Sequence, residues 1–187
     1  MLELILEQKV QKKLQYPSWL RFLVWFVIKT QSSLEISPVK SMTDIPHVLL
    51  AAGTSRRMGE PKQLLKWGNK SLIQFQVETI LPTTDKVYAI LGAYAERIQP
   101  LLKNYNVELI QFNQWEKGMG DSLAYGIQQI CKSNPNIDGF LISLIDQPLV
   151  SASHYSAMRA RFEKGKNQII ASESDSGWVG VPVLFDA

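Results

Sequence analysis

The sequence predicts an α/β fold with a mostly parallel sheet and helices on both of its sides. Three observations carry this. From His47 onward, apolar runs of strand length alternate with segments of helical spacing. The run Gly139–Ile145 is nearly all apolar, as expected of a strand buried on both faces. The first apolar run breaks directly into a loop with Gly53, Thr54, Ser55, Arg56, Arg57, Gly59 and Lys62. Small, basic and glycine positions together after a strand are the pattern of an anion site at the strand's carboxyl end.

The elements follow in order. His47–Ala52 is the first strand. Ser71–Leu81 reads as a helix stopped by Pro82, and Lys86–Leu91 as a strand ending in Gly92. Tyr94–Leu102 is helical, with Pro100 marking a late kink or end. Val107–Phe112 is the next strand. Gly120–Cys131 is a helix with Leu123, Ile127 and Ile130 on one face. After the strand Gly139–Ile145, Ser151–Lys164 reads as a helix with Ser151 as N-cap. Gln168–Ser172 and Val181–Phe185 are short strands. No repeat or low-complexity segment interrupts the series.

A chain of 187 residues is enough for one domain with a real core. A single cysteine, Cys131, excludes an intramolecular disulfide and fits a reducing, cytoplasmic setting. It is expected to be a buried small hydrophobe. His47 and His154 offer no zinc-like spacing. Residues 1–41 hold six of the Lys/Arg and three of the Asp/Glu, so the net charge of +3 belongs to that segment. The rest is neutral and carries no nucleic-acid footprint. Residues 1–41 are unlike the remainder, and Trp19–Ile28 is apolar except for Arg21. That run is too short to span a bilayer. The segment is expected to be an extension outside the domain, begun upstream of Met42. A contact with a membrane surface or a partner is the second option. The domain is placed at 42–187.

The loop after the first strand matches neither familiar phosphate motif. Five residues separate Gly53 from Gly59, and Glu60-Pro61 stands before Lys62, so it is not a Walker A loop. The G-x-G-x-x-G fingerprint is absent. Its chemistry is nonetheless that of an anion nest with fixed positive charge beside it.

The run Leu50-Ala51-Ala52-Gly53-x-Ser55-x-Arg57-Met58-Gly59-x-Pro61-Lys62-x-Leu64-Leu65 resembles the signature loop of the nucleotidyltransferases that act on molybdenum cofactor, the cytidylyltransferases above all. The resemblance covers about Ile45 to the end. It implies a Rossmann-like three-layer α/β/α fold of the nucleotide-diphospho-sugar transferase type. It also implies Mg²⁺-dependent transfer of a nucleoside monophosphate from a triphosphate, with pyrophosphate released. Leu50, Ala51, Ala52, Gly53, Thr54, Ser55 and Arg56 would then bind nucleotide, and Arg57 and Lys62 would be catalytic. Arg57 would neutralise the departing pyrophosphate, and Lys62 would reach the α-phosphate.

Three further strand ends complete the expected site. Gly92 permits close approach of a base or ribose, or is a turn glycine. Asn113 through Gly118 to Ser122 is similar to the family segment facing the nucleoside; the alternative is that Asp121 or Ser122 caps the helix. Trp115 is expected to pack rather than stack on a base. Asp146-Gln147-Pro148 matches the family's metal-binding segment, with Asp146 as the Mg²⁺ ligand or, otherwise, a turn cap. No general base is evident, and an ionised phosphate acceptor such as molybdopterin would need none. Guanylyl-transferring relatives usually carry a second glycine where this chain has Ala52. The added methyl narrows the space beside the base and favours CTP over GTP.

Relatives continue beyond the stretch Gly180-Val181-Pro182, and this chain is expected to lack that part, leaving its last strand without a covering helix. An active cytidylyltransferase, a truncated nucleotide-binding chain without catalysis, and a sugar-phosphate nucleotidyltransferase are the readings held open.

Overall fold

Strand β1, His47–Ala51, is buried along its whole length, and the remaining elements are arranged around it. The computed structural model describes residues 43–55, 59–174 and 177–187. The expectations for residues 1–41, for Arg56 and for Arg57 lie outside them. The other strands are β2 (Lys66–Trp67), β3 (Lys70–Ser71), β4 (Val87–Leu91), β5 (Glu108–Gln111), β6 (Gly139–Leu144), β7 (Ile169–Glu173) and β8 (Val179–Asp186). The helices are α1 (Leu72–Ile80), α2 (Ala95–Leu102), α3 (Met119–Ser133) and α4 (Ala152–Ala160).

The main sheet has the order β5-β4-β1-β6-β8-β7. β5, β4, β1 and β6 are parallel, and β8 runs antiparallel to both β6 and β7. Alternation along each strand sends side chains to two cores. Leu49 and Ala51 of β1, Ala89 and Leu91 of β4, and Leu141 of β6 face one side. There they meet Ile73 and Val77 of α1, Ile98 and Leu102 of α2, and Tyr155 and Met158 of α4. Val48, Leu50, Tyr88, Ile90, Phe140 and Ile142 face the other side, covered by Ile130, Leu123 and Ile127 of α3. The layers are therefore α/β/α, with α3 on the face opposite the other helices.

Local chemistry fixes several ends. Ser71 and Gln74 form the capping box that starts α1, with Ser71 N–H donating to Gln74 Oε1 at 3.0 Å. Ser151 caps α4, its Oγ accepting from His154 N–H at 3.3 Å. The β2–β3 hairpin was not anticipated, although Gly68-Asn69, with Gly68 at φ 62°, is a two-residue hairpin signal. The helix expected to run to Lys164 ends at Ala160. Phe162 N–H turns back to the carbonyl of Arg159, its ring enters the core, and Lys164 pairs with Asp138 instead. Cys131, expected to be buried, is exposed, because it falls on the outer side of α3. β8 lies between β6 and β7, with Leu184 fully buried and Val179 exposed. No helix among the described residues is long and apolar enough to cross a membrane.

Two histidines are structural. His47, fully buried, shares a 2.8 Å hydrogen bond between Nε2 and Ser143 Oγ and meets the Tyr155 ring edge-on. His154 Nε2 does the same with Ser172 Oγ at 2.8 Å. Burial first, and Arg159 second, hold His47 well below its ordinary pKa of 6.5. Burial and then Arg161 lower His154 as well. The unfolded chain therefore takes up protons before the folded one does. Stability is complete above about pH 6.5 and falls as the pH drops through the window below it. The shifted carboxyls Glu78 and Asp138 add their loss only at lower pH, since both titrate below ordinary values of 4.5 and 3.8. Urea unfolding from neutral pH to about pH 5.5 is expected to show falling stability, with a shallower slope in His47→Gln. A flat profile would contradict the assignment.

Gly92, directly after β4, is a packing glycine. A Cβ there would lie 2.4 Å from the carbonyl oxygen of Ala52 and 2.8 Å from Trp115 Cβ. Gly92→Ala is expected to cost about 1–3 kcal/mol in chemical denaturation, because backbone rather than a flexible side chain must yield. An unchanged midpoint would show that the two strand ends do not press together.

Candidate active site

Chain order and strand order diverge at β1. From β1 the chain moves outward to β4 and β5, then returns through α3 to β6 on β1's other side. That reversal sends the chain leaving β1 to one face of the sheet and the chain leaving β5, through α3, to the other, and a crevice opens at the carboxyl ends of β1 and β6. A cavity of about 400 Å³ occupies it. Its walls are Leu50 from β1, Ala52, Gly53, Thr54 and Ser55 from the loop after it, Lys62 and Gln63 from the following turn, and Leu144, Ile145 and Asp146 from the end of β6. Trp115, Glu116, Gly118, Met119 and Ser122 close it from the amino end of α3.

Across this crevice Lys62 Nζ donates to Asp146 Oδ2 at 3.0 Å. Each side chain is about one-third exposed, at 30% and 33%. Such a half-exposed pair is worth about 0–1 kcal/mol, so a phosphate or a cation entering the cavity displaces it cheaply. The other Asp146 oxygen meets no protein donor among the described residues. One carboxylate beside room for phosphates suits Mg²⁺ or a similar ion, which takes few protein ligands and completes its shell from substrate and water. Among the described residues no group of three His, Cys, Asp or Glu forms a closed metal site.

The loop after β1 is held by side chains from other elements. Gln63 Nε2 donates to the carbonyls of Ala51 at 2.7 Å and Gly53 at 2.9 Å. Tyr94 OH donates to the Thr54 carbonyl at 3.1 Å. Ser55 sits at φ 53°, uncommon for a residue with a side chain, and its Oγ accepts the Lys62 N–H at 3.0 Å. Among the described residues, no backbone carbonyl accepts from the N–H of Thr54 or Ser55. A Cβ at Gly53 would meet nothing within 4 Å, and the same is true at Gly118, whose φ of 113° favours glycine. Both open positions lie in the cavity wall. The amino end of α3 starts at Gly118 and adds its partial positive charge.

Three expected nucleotide contacts are not brought to the cavity. The Ala51 side chain points into the opposite core, and its carbonyl is taken by Gln63. The space at Gly92 is filled by Ala52 and Trp115 rather than open to a ring. Asn113 is exposed outside the wall, its Oδ1 accepting from Gln111 Nε2 at 3.0 Å. Ser122 is in the wall but does not cap α3; its Oγ donates to the Gly118 carbonyl at 2.9 Å. Trp115 both packs in the second core and lines the cavity. Sequence reasoning gave no role to Gln63 or Tyr94. Gln63 stood unassigned inside the recognised motif, and nothing local signals Tyr94, which lies 40 residues from its partner.

Comparison with known proteins finds relatives in sequence and in fold. "Purine catabolism protein PucB" of Bacillus subtilis is 31% identical over 124 residues, covering 60% of this chain and 58% of its own length. A "Probable molybdenum cofactor guanylyltransferase" of Natranaerobius thermophilus is 28% identical over 130 residues, covering 69% of this chain and 60% of its own. The chain thus spans about 60% of the length of these relatives. The crystal structure of Rv0371c from Mycobacterium tuberculosis superposes with a TM-score of 0.66 at 24% identity, over 78% of this chain and 72% of that one. The same protein has been solved in complex with manganese. The likeness shows the fold, the three-layer α/β/α arrangement of the nucleotide-diphospho-sugar transferase type. The description "MobA-like NTP transferase domain" matches residues 47–187, and the chain belongs to that family.

Proposed function

We propose that this domain transfers a nucleoside monophosphate from a triphosphate to a phosphate-bearing acceptor. The observation that carries the reading is the Lys62–Asp146 pair across a cavity at the strand-order reversal. The β- and γ-phosphates lie over the loop from Gly53 to Gly59, where Arg56 and Arg57 add charge. Lys62 leaves Asp146 for the α-phosphate. An oxygen of the acceptor phosphate attacks the α-phosphorus as the bond to the β-phosphate oxygen breaks, and pyrophosphate leaves with that electron pair. The acceptor is already ionised, so no side chain has to remove a proton. Lys62 and the loop amides stabilise the charge that builds on the phosphate oxygens, and the cavity fixes the line of attack. Asp146 would hold a divalent ion, which when bound supplies charge neutralisation at those oxygens. The manganese complex of Rv0371c supports a divalent ion in this fold.

Molybdopterin is the acceptor proposed, on the signature loop and on the name of the Natranaerobius thermophilus relative. For the base, the Ala52 side chain in the cavity wall favours CTP. A second reading, GTP, is favoured by the same relative, called a guanylyltransferase.

Lys62→Ala is expected to lower pyrophosphate release by roughly a hundredfold or more, the scale of losing one preorganised donor at developing charge. Its unfolding midpoint is expected to move little, because the ion pair is half exposed. Near-full turnover would remove Lys62 from the chemistry. Ala52→Gly is expected to raise affinity for GTP relative to CTP in direct competition. Tighter binding of GTP than of CTP by the unaltered chain would establish the second reading.

A further inference from the structure

We propose that Gln63 and Tyr94 are positioning residues of the phosphate loop: they grip its carbonyls from behind and thereby aim its N–H groups at a triphosphate. The inference rests on the nucleotide reading above and adds two residues to it. In a trans peptide the carbonyl of one residue and the N–H of the next point in opposite directions within one plane. Gln63 Nε2 fixes the Gly53 carbonyl at 2.9 Å, and so turns the Thr54 N–H the other way. Tyr94 OH fixes the Thr54 carbonyl at 3.1 Å, and so turns the Ser55 N–H the other way. The bond from Gln63 to the Ala51 carbonyl at 2.7 Å ties this clamp to the rigid end of β1. Thr54 and Ser55 both line the cavity, and among the described residues neither N–H has a backbone acceptor. Paired amides held outward in this way are what an anion nest requires.

The Gln63 amide has one workable orientation, since turning it over would set its oxygen against two carbonyl oxygens. That orientation leaves Oε1 buried without a partner among the described residues. Gln63 is only 1% exposed, so the orphaned acceptor is a standing cost to stability. A residue selected for packing alone would not carry that cost, and a hydrophobe of similar length would fill the space. Ser55 in its left-handed conformation, bonded to the Lys62 N–H, is a second strained feature of the same loop.

The test is calorimetric titration of the full chain, with Mg²⁺ present, using CTP and CMP as probes, and GTP and GMP in parallel. The unaltered chain is expected to prefer the triphosphate. Gln63→Met removes both donors at similar volume, and Tyr94→Phe removes one oxygen and keeps the ring. Each is expected to weaken triphosphate binding about tenfold, the scale of one or two net hydrogen bonds, and to leave monophosphate binding unchanged. The ratio of the two affinities is the readout, because a merely structural role would lower both together. Unchanged triphosphate affinity, or equal losses for both ligands, overturns the role of the residue concerned. If Gln63→Met fails to fold, Tyr94→Phe decides alone. An unaltered chain that binds neither triphosphate overturns the nucleotide reading itself, and this inference with it.

Discussion

A parallel strand cannot be followed directly by its neighbour, so each return crosses a face of the sheet and brings the chain back to the end at which the strands begin. In this chain the crossings proceed outward from β1 through β4 to β5, and then α3 carries the chain over the opposite face to β6. That single reversal makes the site possible. It places the carboxyl ends of β1 and β6 side by side, and it sets Lys62 and Asp146 3.0 Å apart although they lie 84 positions apart in the sequence. The hydrophobic cores serve this arrangement. Buried β1 is fixed from both faces, so its carboxyl end is a rigid base for the mobile chemistry of charged groups.

Above that base the same atoms answer two needs. Backbone carbonyls at the end of β1 must find donors, and Gln63 and Tyr94 supply them. Opposite those bonds lie the Thr54 and Ser55 amides, which have no backbone acceptor among the described residues. The Lys62–Asp146 pair keeps two charges satisfied in the half-exposed cavity at little net gain, which lets either group change partner. A tightly buried pair would resist that exchange, since each charge would have to be separated in a low-dielectric interior. The moderate exposure of both side chains is therefore suited to a site that opens to phosphate.

Much of this was legible in the sequence because it rests on residue type in local order. The alternation of elements points to the sheet, and glycine with basic residues after β1 marks the loop that lines the cavity. Asp146 stood out as a carboxylate at the end of an apolar strand. What was not legible depends on contacts made across the fold. Gly92 looks like a glycine that admits a ligand until the Ala52 carbonyl is found 2.4 Å from its missing Cβ. Ala51 belongs to the motif, yet strand alternation turns its side chain into the other core. Asn113 lies past the edge strand and bonds its own neighbour Gln111. Gln63 and Tyr94 gain their roles only from where α1, α2 and β1 bring them. The fate of Cys131 and the early end of α4 turn on one helical face and one aromatic residue, Phe162, that local pattern weighs too lightly.

The measurement that tests the central claim most directly is thermal unfolding of the chain with Mg²⁺ and CTP or GTP, alongside Asp146→Ala. A ligand that binds only the folded state raises its stability by about 2.7 kcal/mol at a hundredfold excess over Kd. The account predicts a clear rise with a triphosphate that is lost or much reduced in Asp146→Ala. A transition indifferent to both nucleotides would contradict it, and would mean that the cavity between β1 and β6 is not a nucleotide site.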